Sequence, residues 1–178
     1  MDFKDHYLEN TRFELERMKR LAERAMEQIP STEGLHVELD AASNSIAVLI
    51  QHLSGNMVSR WTDFLTSDGE KETRRRDAEF EPSPGRDRDE LLQIWEKGWS
   101  TLFESLGALT AADLDKTVVI RGEKHSVVEA IQRQIVHASY HIGQIVYLAR
   151  HVSSASGWRS LSIPKGGSEA APGRYKKS

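Results

Sequence analysis

The nine residues from His137 to Ile145, HASYHIGQI, place two histidines four apart in a segment that otherwise reads as a buried helix. An i, i+4 pair on a helix presents both side chains from one face. A third imidazole, His52, borders the apolar stripe of an earlier helical segment, three residues after Leu49 and directly before Leu53. In an antiparallel arrangement of those two segments, His52 can face the pair. Three neutral imidazoles converging from two helices make a metal site, with nitrogens about 2.0 to 2.1 Å from a zinc ion and one coordination position left for water or substrate. Water held there ionises near neutral pH, or the metal polarises a substrate atom. The same spacing also arises by chance, and a single histidine at a core border is more often a hydrogen-bonded structural residue. On residues alone, a metal site and a structural cluster both stay open. HASYH lacks the glutamate of H-E-x-x-H, so the usual metalloprotease general base is missing. No Glu-x-x-His motif with matching inward carboxylates points to a di-iron site.

Composition narrows the chemistry further. The chain has no cysteine, which excludes disulfides, thiolate ligands and a cysteine nucleophile. Any metal is therefore held by His, Asp or Glu. A length of 178 residues suits one domain with a real core better than two. The formal charge of -3 supplies no general attraction to DNA, RNA or an anionic membrane surface. The N-terminal region is rich in Asp, Glu, Lys and Arg without the apolar core of a signal peptide, and no stretch is long and apolar enough to span a bilayer. The expectation is a cytoplasmic protein with neither nucleic-acid nor membrane partners.

Four segments with helical periodicity would position the histidines. The first runs from about Phe3 to Ile29 and is ended by Pro30 and the Ser31 to Gly34 cluster. The second starts near Asp40 to Ser43, which offer caps, and carries Ile46, Leu49, Ile50, Leu53, Met57, Trp61, Phe64 and Leu65. Then EKETRRRDAEFEPSPGRDRD, from Glu70 to Asp89, reads as a long, solvated and internally paired loop: Arg74, Arg75 and Arg76 could bind an anion such as a cofactor's carboxylate, but Asp77, Glu79 and Glu81 surround them. A third helix spans about Asp89 to Leu106, with Gly107 as a stop. Val118 to Ile120 with the Arg121-Gly122 turn could form a short hairpin. Ser126 with Glu129 is a capping box, opening a fourth helix that runs to about His151. The pattern predicts an all-α four-helix bundle in a single domain over residues 1–165, followed by a polar, flexible tail over 166–178.

On the fourth helix Ile131, Ile135, Ala138, Ile142, Ile145 and Ala149 form the core stripe, and Gln134, His137, His141, Gln144 and Leu148 form the row beside it. Asn56, one turn after His52, and Gln144, three residues after His141, would point near the same space. They could orient a ligand or support the histidines, or be ordinary polar residues at a helix edge. Tyr140 lies off the histidine row and is expected to pack. His6, His36, His125 and His151 are not expected to be ligands, and His151 suits a helix C-terminus. The tryptophans Trp61, Trp95, Trp99 and Trp158 are expected in core or interface, since no basic stripe accompanies them to make a nucleic-acid stacking platform.

The segment NSIAVLIQHLSGNMVSRW, Asn44 to Trp61, together with HASYHIGQI resembles the signature of the DinB/YfiT-like superfamily of metal-binding four-helix bundles. DGEKETRRRDAEFE, IRGEKHSVVEAIQRQIVHASYHIGQI and WRSLSIPKGGSE resemble a subgroup of it known only as a domain of unknown function, so that the likeness covers nearly the whole chain. The resemblance implies one divalent metal held by a second-helix histidine and an H-x-x-x-H pair, here His52, His137 and His141. Nickel and zinc both occur in the superfamily, and three imidazoles alone do not choose between them. It also implies a low-molecular-weight thiol cofactor, as in the bacillithiol S-transferases and the mycothiol-dependent maleylpyruvate isomerase. The expected function is then a metal-dependent thiol S-transferase or hydrolase acting on a small molecule, with a non-catalytic metal-binding or interaction protein as the alternative. Pairing into a homodimer is a further implication, with which exposed aromatics on the third helix would be compatible.

Overall fold

The computed structural model describes residues 2–164, 166 and 167, so most of the expected tail, from 168 onward, lies outside the described residues. Four α-helices and one two-stranded sheet make up the fold: α1 (Phe3–Met26), α2 (Ile46–Trp61), α3 (Arg88–Ala108), β1 (Thr117–Ile120), β2 (Glu123–Ser126) and α4 (Val127–Val152). No described helix is long and apolar enough to cross a membrane.

Local chemistry sets the boundaries. Asp2 caps α1 by accepting the Lys4 N–H. Asp40 and Ser43, read from sequence as the start of α2, instead close a turn on each other, the Ser43 hydroxyl donating to the Asp40 carbonyl at 2.9 Å. The helix begins three residues later, where Ser45 Oγ accepts the Val48 N–H at 3.3 Å. Capping boxes at Asp87 with Glu90 and at Ser126 with Glu129 open α3 and α4, each carboxylate returning a hydrogen bond to its cap residue. The hairpin turn has positive φ at both Arg121 (57°) and Gly122 (76°), the geometry whose twist matches the flanking strands. Asp68, just after α2, accepts both of those backbone N–H groups at 2.8 Å, pinning the hairpin to the chain that leads into the charged loop.

The helices bury one continuous core. Leu15, Leu49, Leu53, Leu91, Leu102, Ile131 and Ile145 are fully buried, and Trp61, Trp95 and Trp99 sit among them. Trp95 and Trp99, with the half-buried Phe103, thus face inward, and the exposed aromatic surface on the third helix that would accompany pairing is not there. Exposed apolar side chains lie on α4 instead, at Val136, Tyr140 and Tyr147. Burial of α2 extends around nearly its whole circumference, because α3 packs on one side, α4 on another, and the charged loop on a third. Between α2 and α3 the backbones touch: a Cβ added at Gly98 would lie 2.6 Å from Ser54 Cα.

Gly98→Ala therefore sets a small gain in helix propensity, about 1 kcal/mol, against overpacking that costs about 1 to 3 kcal/mol. The expected outcome is net destabilisation, measured as a lower urea midpoint with an unchanged slope.

Candidate metal centre

His52 on α2 and His137 and His141 on α4 meet at one place in the seam between these antiparallel helices. One nitrogen from each lies within 4.8 Å of the other two, and the Nε2 atoms of His52 and His137 are 3.0 Å apart. His52 and His141 are buried and His137 is half-buried. Among the described residues no other group of three His, Asp or Glu side chains converges in this way. His36 hydrogen-bonds the Arg86 carbonyl instead, at 2.9 Å.

Two of the rings have their protons placed by neighbours. Glu79 Oε2 lies 2.9 Å from His52 Nδ1; a carboxylate only accepts, so Nδ1 carries the proton and Nε2 is left with a lone pair. Gln144 Oε1 lies 2.8 Å from His141 Nδ1 and does the same for that ring. Hydrogen bonds of this kind fix ring orientation and make the other nitrogen a better metal ligand. His137 has no such partner among the described residues, its Nδ1 being buried and unpaired.

The electrostatics keep His137 and His141 neutral. Burial, then the neighbouring His141 and His52, then Arg60 and Arg74, push the His137 imidazole down to about 3. Burial lowers His141 as well, with the Gln144 hydrogen bond partly opposing it. Neutral imidazoles are the ligand form, so the donor set fits a divalent cation, and the three histidines could hold a metal ion.

Glu79 comes from the charged loop, where its side chain is only 11% exposed rather than solvated. Its carboxylate is clamped by Arg74, whose Nε and Nη2 donate at 2.7 Å each. Burial alone would raise the Glu79 carboxyl, but the hydrogen bonds from Arg74 and His52 outweigh it and hold the group below its ordinary value. The Arg74 side chain is only 4% exposed. Arg75 and Arg76 do stay exposed; Arg74 pairs inside the loop with Glu70 and Glu79, as the mixed charges suggest, and departs from expectation in being buried. The 3-10 turn Asp77–Phe80 delivers Glu79 and lays the Phe80 ring 4.4 Å from that of His52. Gly55, three residues after His52, makes room for it: a Cβ there would lie 2.3 Å from Glu79 Oε1. A glycine in the interior of a helix is the available sequence signal for a close approach.

Of the two supporting residues expected from sequence, Gln144 reaches a histidine; Asn56 is buried with its Oδ1 unpartnered among the described residues. Tyr140, expected to pack, is 63% exposed, and its ring stands edge-on to His141 at 4.8 Å. It lies off the core stripe, so helix geometry turns it outward.

The model of a family described as "Protein of unknown function (DUF1572)" matches residues 2–167. Neither curated proteins nor solved structures include a match to the chain.

Gly55→Ala is expected to displace the Glu79 carboxylate and lower zinc affinity about 10- to 100-fold, as is Glu79→Gln, measured by competition with a chromophoric chelator. The depressed histidines set a second expectation. Their folded-state values lie below the ordinary 6.5, so stability of the metal-free protein is complete above pH 6.5 and falls as pH drops below it, where the unfolded chain takes up protons that the folded chain refuses. Urea midpoints across that range should fall more steeply for the parent than for a His137→Gln, His141→Gln variant.

Proposed function

The chain belongs to the DUF1572 family of unknown function, and on that premise we propose that it is a metal-dependent enzyme whose single divalent ion is held by His52, His137 and His141 in a DinB-like four-helix bundle. The reading rests on one observation: Glu79 and Gln144 accept hydrogen bonds from the Nδ1–H groups of two histidines on different helices, leaving their Nε2 atoms available to one point. Zinc or nickel bound there would supply Lewis acidity, lowering the pKa of a coordinated water or low-molecular-weight thiol.

The chain's own contribution is to orient and to exclude. Glu79 and Gln144 hold two imidazoles in the ligand tautomer. Phe80 covers the His52 ring from the loop side. No fourth carboxylate or imidazole joins the cluster among the described residues, which favours a position kept for substrate. Without cysteine, a thiol nucleophile would come from a cofactor, and thiol transfer to an electrophilic small molecule stands ahead of hydrolysis. The burial of His52 and His141 supports a second reading, a metal that staples α2 to α4 without catalysis. A homodimer is proposed on the resemblance alone.

Untagged protein analysed by inductively coupled plasma mass spectrometry should carry one equivalent of metal, and a His137→Ala, His141→Ala variant none. Absence of metal from both, after soaking with zinc and nickel, would overturn the proposal. Light scattering after size exclusion should give twice the mass of one chain; a single-chain mass removes the dimer.

A further inference from the structure

Seven side-chain polar atoms are buried without a hydrogen-bond partner among the described residues, and four of them, on Asn56, Arg60, Gln134 and His137, belong to one stretch of the α2–α4 seam. The antiparallel register is set at two points, His52 against His137 at 3.0 Å and the Trp61 indole against Gln134 Oε1 at 2.9 Å. Asn56 and Arg60 therefore fall on α2 between those levels, and Gln134 and His137 fall opposite on α4. Buried polar groups are normally paired. Four unpaired ones side by side, continuing directly from the histidines, have the character of a mould for a ligand.

Arg60 gives that ligand its charge. It is 7% exposed, makes no hydrogen bond or ion pair among the described residues, and has its Nε fully buried. Burial, followed by the like charges of Arg133 and Arg74, pushes it down to about 10. The one carboxylate nearby, Glu70, is already engaged by Arg74 at 3.0 Å and Arg121 at 3.4 Å. A buried guanidinium among other cations lacks the counter-charge that such a group ordinarily has. A guanidinium fork matches an oxyanion. Gln134 Nε2, and His137 Nδ1 once its Nε2 serves as a ligand, are further donors, while Asn56 Oδ1 is an acceptor.

We infer that this seam is the substrate pocket of the proposed metal centre, and that Arg60 seats the carboxylate or phosphate of a small organic oxyanion. The Asn56 oxygen suits a hydroxyl or amine on the same molecule. The inference rests on the metal reading for the reaction, but the binding it predicts can be measured separately.

Calorimetric titration of zinc-loaded protein at physiological ionic strength with succinate, and separately with inorganic phosphate, tests it, with metal content assayed in every sample. Saturable binding of at least one probe by the parent is expected, weakened roughly 10- to 100-fold in Arg60→Met and unchanged in Arg76→Met. Without a probe, Arg60→Met should melt at a higher temperature than the parent, since a lone buried charge is gone, and its melting temperature should no longer rise with the anion. Binding of neither probe by the parent, or equal binding by parent and Arg60→Met, overturns the inference. Arg60-dependent anion binding in protein that takes up no metal would keep the anion site and sink the metal reading; stoichiometric metal without anion binding would do the reverse. The better of the two probes distinguishes a carboxylate from a phosphate substrate.

Discussion

The hydrogen bond from His52 to Glu79 is the interaction on which the arrangement of the site turns. It joins a helix to a loop 27 residues further along the chain, and places the His52 proton on the nitrogen facing away from the other histidines. The carboxylate can do this only while it stays ionised in a largely buried position. Arg74 keeps it so, by donating two hydrogen bonds from a guanidinium that Glu70 also engages. Removing either side of such a buried pair leaves an uncompensated charge. The loop is accordingly held in place by its charges, and the stitch from Gln51 to the Glu79 and Glu81 carbonyls is secondary.

That constraint explains an otherwise odd feature of α2. A helix buried nearly all round would ordinarily be apolar all round, yet α2 buries Gln51, His52, Asn56, Ser59 and Arg60. Each stands on a side where another element brings polar groups of its own. Gln51 faces the loop carbonyls, Ser59 accepts the Lys71 N–H at 2.9 Å, and His52 faces α4. Gly55 belongs to the same account, since its missing side chain is the space that the Glu79 carboxylate occupies. Among the described residues only Asn56 and Arg60 of these end without side-chain partners, which sets that part of the seam apart from the rest.

Packing elsewhere is conventional and serves mainly to hold α2 and α4 in register. Gln134 is completely buried, and its bond to the Trp61 indole sets the level at which the helices cross. Gly98 against Ser54 lets α3 approach α2 closely. His137 and His141 suit this buried surrounding because burial holds both below the ordinary imidazole value, uncharged near neutral pH.

Local rules carried far in this chain. Periodicity located four helices, the Ser126 and Glu129 box located the start of α4, the Arg121-Gly122 turn located a hairpin, and the spacing of His52, His137 and His141 placed them on facing rows. All of these depend on contacts within a few residues or on a face of one helix, and sequence encodes them directly. The start of α2 is not legible in the sequence, because Asp40 and Ser43 satisfy each other and Ser45 looks no better as a cap until the backbone is seen. Tertiary structure alone decided that Glu79, one of many acids in a charged stretch, is the one that meets His52; that Arg74 is buried while Arg75 and Arg76 are not; and that Arg60 forms no ion pair among the described residues. The physical reason is that an ion pair between distant residues has no periodicity: its partners are chosen by where the chain folds back, and composition alone cannot distinguish a clamped carboxylate from a solvated one.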